Sequence, residues 1–493
     1  MSEELNKKSG KAVFWSTIAE VISKLITPIV NIVLARLLTP DAFGAVATIT
    51  MVISFAEIFA DAGFQKYIIQ HEFDSIESLD RSTNVAFVTN LAVSSFIVAV
   101  ICGFRNQIAI LVGSPELGNA IALASLSIIL VAFSSIQMAR FKRDLDFKTL
   151  FFVRMGSSFV PLIVTVPLAF LMRDFWALVI GTFAVNLFNA IVLTFKSNWK
   201  PKLFYSFSLF RKMFSFTAWT MLESISIWLT INVDIFIVGS ILDNYHLGIY
   251  KTSMTTVNSY MGIITASIVP VLFSTLSRYQ NDDANFKNTF WKFQKYISVL
   301  VIPMSIGIFV YSDFVTDVLL GSQWSEASGF IGIWGLMSGI VILFSNLASE
   351  VYRSKGNPRL SMLSQAVHLA FVIPLVLLTV QSSFEILYTV RAIVRLQFVI
   401  WSIIVLRVIY KFSIIKMLKN VAPATISAIV MGIFGYLIRD IFIGNWWKLL
   451  CIFICIIVYF AFLFVVFPNV RKEIFAIPFL KKLRKKEVSN GEN

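Results

Sequence analysis

Apolar segments of about 20 residues, separated by short polar loops, recur along almost the whole chain. Each segment is long enough to cross the hydrocarbon core of a bilayer as an α-helix. Helices and closed barrels are the only structures that satisfy their own backbone hydrogen bonds in lipid. The pattern therefore predicts an all-α polytopic membrane protein with about fourteen transmembrane helices, at 13–38, 45–69, 83–104, 118–139, 149–172, 175–195, 214–242, 246–275, 294–311, 326–350, 360–380, 384–407, 421–439 and 446–467.

The first two predicted helices and their turn recur in the seventh and eighth. Four positions keep a spacing of 204 residues, namely Trp15 with Trp219, Leu25 with Leu229, Leu38 with Leu242 and Gly44 with Gly248. A basic motif after the fourth helix, Arg140-Phe-Lys142, recurs as Arg353-Ser-Lys355. We expect two six-helix bundles that face the same way, as in some alternating-access transporters.

The same pattern sets the predicted domain limits. A C-terminal helix pair follows the two bundles, and the central connector is rich in Lys, Ser and aromatic residues, which suits the cytoplasmic surface. The expected parts are an N-terminal bundle (1–195), a cytoplasmic amphipathic connector (196–213), a C-terminal bundle (214–410), an extra helix pair (411–468) and a basic cytoplasmic tail (469–493).

Composition and charge placement support this interpretation. The chain is 57% hydrophobic and 14% charged, with a mean hydropathy of +0.79. Of its 42 Lys and Arg, 31 fall in alternate segments on one side of the predicted membrane, and the other side holds only four. The positive-inside rule then places both termini in the cytoplasm. The net charge of +14 is explained by topology and lipid head groups, so we expect no nucleic-acid partner.

Sequence motifs for cofactor or metal chemistry are missing. There is no Gly-rich phosphate loop, and Cys102, Cys451 and Cys455 have no metal-ligand spacing. Glu20 and Lys24 interrupt the first apolar segment, and no cleavage site follows it, so we expect a retained helix and no signal peptide. We expect the protein to use no cofactor and to be driven by an H⁺ or Na⁺ gradient.

Four cations inside predicted helices are candidates for a substrate-binding cavity, because charges in a membrane are costly unless they are paired or functional. Lys24 lies midway along the first helix, four residues after Glu20, and the pair is either structural or released by an anionic substrate. Lys251 is the corresponding cation of the second half. Arg391 and Arg395 are four residues apart and should share a helix face, where a diphosphate, carboxylates or lipid phosphate would offset their repulsion. Arg36, Lys66 and Arg154 lie near helix ends and should reach the head groups.

Four acids are candidates for ion or proton coupling. Glu57 and Asp61 are four residues apart on the second helix, so in a low dielectric they should not both ionise. Glu223 and Asp234 are the acids of the seventh helix. For each of them a structural ion pair or a packing role is the alternative.

The opening motif adds a family resemblance. Residues 34–44 (Leu-Ala-Arg-Leu-Leu-Thr-Pro-Asp-Ala-Phe-Gly), followed by Phe-Ala-Asp-Ala-Gly-Phe at 59–64, resemble the opening signature of Wzx-type polysaccharide and O-antigen flippases. Residues 137–147 and 232–239 are similar to later segments of these proteins, which belong to the multidrug/oligosaccharidyl-lipid/polysaccharide exporter superfamily. The resemblance implies a flippase of the bacterial inner membrane that moves undecaprenyl-diphosphate-linked oligosaccharides, with a glycan polymerase and a chain-length regulator as partners.

Two other functions are compatible with the residues. An ion-coupled drug or cation antiporter of the same superfamily would have the same architecture, although the excess of intramembrane cations argues against it. A membrane-embedded glycan-modifying enzyme would need a buried catalytic histidine, for which His368 is the available residue.

Overall fold

The computed structural model describes residues 2–61, 63–357, 359–442 and 444–475, and within these ranges the side chains of residues 2–14, of Glu20, of Asp61 and of several others lie outside the description. The described chain is helical, with no strand. Its α-helices are α1 (Ser2–Leu37), α2 (Pro40–Asp61), α3 (Phe64–Gln70), α4 (Ile76–Gly103), α5 (Arg105–Leu111), α6 (Gly118–Arg143), α7 (Phe147–Val160), α8 (Val166–Met172), α9 (Trp176–Lys196), α10 (Phe207–Ile241), α11 (Asn244–Arg278), α12 (Asp283–Val310), α13 (Ser312–Leu319), α14 (Ala327–Val341), α15 (Leu347–Ser354), α16 (Arg359–Thr379), α17 (Phe384–Ile393), α18 (Leu396–Val408), α19 (Ile414–Ile438), α20 (Asn445–Val466) and α21 (Pro468–Phe475).

The helices have the lengths and compositions of membrane spans. Within the described residues, twelve are long and apolar enough to cross a membrane, or thirteen if the bent helix α11 is one span. The first predicted span lies in α1, several of whose side chains are outside the description. The all-α polytopic class is therefore confirmed. Residues 476–493, most of the predicted tail, lie outside the described residues.

Several helices begin earlier than hydropathy predicts. α10 begins at Phe207 instead of 214, α12 at Asp283 instead of 294, and α19 at Ile414 instead of 421. In each case a polar residue just before the helix caps it: the side chains of Ser206, Asp282 and Ser413 accept hydrogen bonds from backbone N–H groups of the first turn. Hydropathy identifies only the apolar part of a helix, whereas capping marks where the helix starts.

Two predicted helices are broken by turns, whereas the fifth and the tenth continue through π-helical segments at Pro161–Thr165 and Ile342–Asn346. The second one, expected over 45–69, is split into α2 and α3 at Gly63, whose φ of 80° is in the left-handed region that favours glycine. The twelfth, expected over 384–407, is split into α17 and α18 by a turn at Val394 and Arg395. Polar and glycine positions inside an apolar segment do not by themselves show where such breaks occur.

By their internal contacts the described residues form two compact units. The first comprises Met1–Thr255, Leu319–Trp324 and Val372–Leu387, and the second comprises the rest of the chain. These units do not test the predicted bundle limits, which stay a prediction.

In the first unit, α6 packs against α2, α3, α4 and α9, and α10 lies along α2 and α3. Trp199 of the central connector is buried against Phe87 in this core, with ring centroids 5.8 Å apart. The backbone N–H of Lys202 donates to the side-chain oxygen of Asn84 at 2.9 Å. The non-helical part of the connector is thus anchored to α4.

The repeat-related glycines Gly44 and Gly248 meet where α2 and α11 begin. A Cβ added to Gly248 would lie 1.9 Å from the carbonyl oxygen of Pro40, and one added to Gly44 would lie 1.8 Å from that of Asn244. Only glycine allows two backbones to approach this closely. The glycines that mark the repeat in sequence therefore form one contact.

In the second unit, α12 packs against α14 and α19, and α19 packs against α20. The hydroxyl of Tyr459 donates to the carbonyl of Val299 at 2.9 Å, which ties α20 to α12. The predicted extra helix pair therefore shares a core with α12.

The two copies of the basic motif each form an ion pair with a neighbouring helix, through the first position of the motif in one copy and the third in the other. Arg140 pairs with Asp80 in the first turns of α4 at 2.6 Å, and Lys355 pairs with Asp283 at the start of α12 at 2.8 Å. In each half the motif lies at the end of the fourth membrane helix and binds an acid at the start of the third. This agreement supports the repeat found in the sequence.

Candidate functional site

The predicted arginine pair converges on one aromatic ring. Although the turn between α17 and α18 interrupts the helix, the guanidinium carbons of Arg391 and Arg395 lie 5.2 and 4.0 Å from the ring centroid of Trp334 in α14. Both arginines therefore contact the same ring, one before the turn and one within it, and their role in a substrate cavity stays a prediction. Each such cation–π contact is worth about 0.5–2 kcal/mol, with the larger value where water is excluded.

Neighbouring polar groups fix the ring and one of the guanidinium groups. Arg395 donates to the hydroxyl of Ser338 at 2.9 Å, and the indole N–H of Trp334 donates to the amide oxygen of Asn258 at 3.1 Å. Within the described residues, the groups that contact Arg395 are uncharged: the indole face, a backbone carbonyl and a hydroxyl. They orient the guanidinium but leave its positive charge uncompensated, while Arg391, 8% exposed, repels it. An anion with several oxygens would relieve this repulsion.

In the first unit, a predicted cation and a predicted acid come together. Asp234 in α10 is 1% exposed and accepts a hydrogen bond from the hydroxyl of Tyr250 at 3.1 Å. Lys251, half-buried on α11, lies near enough to be attracted by the Asp234 carboxylate. Lys251 is therefore not an isolated cation, and an anionic ligand would compete with Asp234 for it.

Glu57 lines a partly polar cavity of about 280 Å³ between α2, α6 and α9. The other polar residues of its wall are Thr50, Ser54, Ser127, Thr182 and Asn186. Ser54 also accepts a hydrogen bond from the indole N–H of Trp228 at 2.9 Å. Carboxylate, hydroxyl and amide oxygens are the ligands that hard cations such as Na⁺ take, and a carboxylate can also carry a proton.

The part of the chain that the structure describes offers no binding site for a multivalent metal ion. No group of three or more His, Cys, Asp or Glu there could hold a metal ion.

Glu223, the other predicted acid of α10, forms an ion pair with Lys66 of α3 at 2.7 Å. Their side chains are 59% and 43% exposed, so the pair is worth at most about 1 kcal/mol. Next to it, Gly63 lies against Thr220: a Cβ at Gly63 would overlap the threonine hydroxyl. Lys66, expected to reach the head groups, instead links α3 to α10.

The remaining predicted residues are only partly described. Lys24 is half-buried in α1, and the side chain of Glu20, its predicted partner, lies outside the description. The side chain of Asp61 is also outside, so the coupled pair of Glu57 and Asp61 stays a prediction.

Trp334, Ser338 and Tyr250 were not found by sequence reasoning. Trp334 is separated from the arginines by nearly 60 residues, and apolar helices rich in aromatic residues give no signal for such a contact. Tyr250 precedes Lys251 in the sequence, and its hydroxyl was the one sequence feature that could have indicated a hydrogen bond to a buried acid.

His368, the histidine that a membrane enzyme would need, is packed against an aromatic ring in the core. It is 3% exposed and its ring stacks on that of Phe398, with centroids 4.0 Å apart. A ring stacked in the core has little access to a substrate.

The fold is one that a class of solved membrane transporters shares. A solved structure of the lipid II flippase MurJ in an inward closed conformation is similar over 93% of this chain and 99% of its own, with a TM-score of 0.75 and 16% sequence identity. A multidrug resistance MATE family transporter of the MOP superfamily, in an inward-facing conformation, is similar over 84% of this chain and 98% of its own, with a TM-score of 0.56 and 10% identity. At these identities the likeness concerns the fold alone.

Within that class, the chain belongs to the polysaccharide biosynthesis protein family, whose model matches residues 33–329. The succinoglycan biosynthesis transport protein ExoT of Rhizobium meliloti is 23% identical over 69% of this chain and 68% of its own. The lipopolysaccharide biosynthesis protein WzxC of Escherichia coli is 22% identical over 73% of this chain and 70% of its own. The resemblance stated from the opening motif is confirmed, and the chain is a transporter of polysaccharide biosynthesis, not an enzyme.

Proposed function

We propose that the protein is a flippase that translocates undecaprenyl-diphosphate-linked oligosaccharide repeat units across the bacterial inner membrane by alternating access. The translocated repeat units would be used in the synthesis of a cell-surface polysaccharide such as O-antigen, capsule or exopolysaccharide. Membership of the polysaccharide biosynthesis family supports the class of cargo. The observation that carries the proposal is the arginine pair on Trp334.

A diphosphate matches the chemistry of this pair. Each guanidinium can donate two parallel N–H bonds to phosphate oxygens, which a lysine ammonium cannot do. Trp334 holds Arg391 and Arg395 close together, and their mutual repulsion is offset when a diphosphate binds. The sugars would remain in a polar interior while the prenyl chain stays in lipid.

Lys24 and Lys251 are the further cations of this proposal. Asp234 would hold Lys251 until the diphosphate competes for it, which links substrate binding to a buried carboxylate. An H⁺ or Na⁺ gradient would supply the driving force. Glu57 is our first candidate for the coupling residue, because it lines a partly polar cavity whose oxygen ligands suit Na⁺ or a proton.

The placement of basic residues supports an inner-membrane protein with both termini in the cytoplasm. In that setting a glycan polymerase and a chain-length regulator would act on the flipped cargo and are the proposed protein partners.

The test is complementation of a strain that lacks this protein, with surface polysaccharide and accumulated lipid-linked intermediate as readouts. We expect the Arg391→Gln/Arg395→Gln variant to lose at least tenfold in surface polysaccharide and to accumulate the intermediate. The Arg391→Lys/Arg395→Lys variant should give an amount of surface polysaccharide between those of the glutamine variant and the wild type, because lysine keeps the charge and lacks the bidentate donors. The matched control is Arg105→Gln/Arg173→Gln, which removes two exposed arginines from predicted outer loops.

Normal polysaccharide with the well-expressed Arg391→Gln/Arg395→Gln variant would refute the role of the arginine pair and leave the flippase proposal standing. Deletion of the protein without any accumulation of a lipid-linked intermediate would refute the flippase itself.

The second candidate is an ion-coupled drug or cation antiporter, favoured by the cavity at Glu57 and by the similar fold of a multidrug transporter. Deletion should then sensitise cells to cationic drugs and leave surface polysaccharide unchanged.

A further inference from the structure

A second cationic pocket lies in the second unit, away from the arginine pair in sequence and on different helices. It has a volume of about 350 Å³ and lies between α12, the first turns of α19 and the junction of α20 with α21. Its polar lining consists of Lys295, Lys416, Lys419, Asn420 and Asn469. The distribution of Lys and Arg along the chain assigns these helix ends to the cytoplasmic side.

The charge of this lysine pocket is mostly uncompensated. Lys295 binds both carboxylate oxygens of Glu473 in α21, at 3.0 and 2.9 Å. The ammonium of Lys416 lies 5.4 Å from the ring centroid of Trp291, and Lys416 and Lys419 have no ion pair within the described residues. Three lysines thus face one carboxylate. Because like charges repel, an anion in the pocket would lower the energy of this arrangement.

Hydrogen bonds between two helices fix the walls of the pocket. The side-chain amide of Asn420 donates to the backbone carbonyl of Trp291 and to the side-chain oxygen of Gln294, at 2.8 and 3.2 Å. These bonds tie α19 to α12 where the lysines are found. The pocket is therefore a gap between packed helices and more than a cluster of surface charges.

The same helices indicate what kind of anion fits. One turn beyond Lys295 along α12, Val299 begins an apolar cavity of about 370 Å³ that continues between α12, α19 and α20. On α20, Phe460 lines the apolar cavity and Val466 the lysine pocket. A charged pocket and an apolar cavity lined by the same three helices suit an amphiphile with an anionic head and hydrocarbon chains. Basic pockets between membrane helices on the cytoplasmic side typically bind anionic lipid head groups.

We propose that the lysine pocket binds the phosphate head group of an anionic phospholipid of the inner leaflet, whose acyl chain lies in the apolar cavity between α12, α19 and α20. This site is independent of the arginine pair and does not rest on the proposed cargo. It assigns the C-terminal helix pair the role of binding membrane lipid.

The test is a lipid titration of the purified full-length protein in detergent, with the thermal midpoint of unfolding as the readout. Phosphatidylglycerol should raise Tm at a concentration at least tenfold lower than phosphatidylcholine does, because the head group of phosphatidylcholine has no net charge. A lysine near lipid head groups changes affinity about fivefold, so Lys416→Gln/Lys419→Gln should raise the required phosphatidylglycerol concentration about 25-fold.

Two variants control for folding and for total charge. Lys416→Arg/Lys419→Arg keeps both charges and should respond to phosphatidylglycerol like the wild type. Lys148→Gln/Lys212→Gln removes two exposed lysines from other predicted cytoplasmic segments and should also respond like the wild type.

Three outcomes would overturn the proposal. The wild type could respond equally to the two lipids, or Lys416→Gln/Lys419→Gln could respond like the Lys148→Gln/Lys212→Gln control. Inorganic phosphate alone could also reproduce the full rise in Tm, in which case the pocket would bind free phosphate and not a lipid.

Discussion

The contact between Gly44 and Asn244 predicts a large effect from a small substitution. In Gly44→Ala the new methyl group would lie 1.8 Å from the carbonyl oxygen of Asn244, and real Cβ contacts are not closer than 3.0 Å. The starts of α2 and α11 must therefore move apart by more than 1 Å. Overpacking of this kind costs about 1–3 kcal/mol.

Hydrogen bonds at Asn244 add to this cost. Its side-chain oxygen accepts from the hydroxyl of Ser114 at 3.0 Å, and its amide donates to Glu116 at 2.7 Å. Displacing Asn244 strains both bonds, each worth about 0.5–1.5 kcal/mol. We expect Gly44→Ala to lower the free energy of unfolding by at least about 2 kcal/mol, and Gly248→Ala, 1.9 Å from the carbonyl of Pro40, to have a similar effect.

The matched control is Gly103→Ala in α4. A Cβ there meets nothing within 4 Å, and alanine favours a helix by about 0.5–1 kcal/mol over glycine, so this variant should be as stable as the wild type or more so. The assay is thermal unfolding of the purified protein followed by tryptophan fluorescence, together with surface polysaccharide in cells. A Gly44→Ala protein with the Tm of the Gly103→Ala control would refute the close approach of α2 and α11.

Three further predictions concern the charged and aromatic contacts. Glu223→Gln should change the free energy of unfolding by less than about 1 kcal/mol, because the pair with Lys66 is half-exposed. Denaturant titration should show this difference at low salt only, and the exchanged pair Lys66→Glu/Glu223→Lys should restore the wild-type stability. Asp234→Asn should lower the free energy of unfolding by about 1–3 kcal/mol, since Lys251 would lose the carboxylate that attracts it. In thermal unfolding, Asp234→Asn/Lys251→Gln should recover part of the lost stability, and no recovery would contradict the pairing. His368→Phe keeps a ring on Phe398, so surface polysaccharide should be unchanged, whereas loss of polysaccharide at normal protein levels would indicate a chemical role for His368.

Features that depend on neighbours in sequence could be predicted. The helices of the all-α class follow from long apolar segments, because each helix satisfies its own backbone hydrogen bonds in lipid. The repeat was visible in the spacing of Gly44 and Gly248, and helical periodicity predicted that Arg391 and Arg395 lie close together. Helix starts such as Phe207 were misjudged because the polar cap at Ser206 lies outside the apolar segment.

The sequence by itself determined the fold class, the family and the set of intramembrane charges. Only the tertiary structure decided which charges of the chain meet: the two arginines on Trp334, Lys251 with Asp234, and, at the cytoplasmic helix ends, Lys295 with Lys416 and Lys419 in one pocket. The physical reason is that membrane helices are apolar on all sides, so hydrophobic periodicity does not show which face is buried. Their partners are chosen by close packing between segments that are far apart in the chain, and that information is not local.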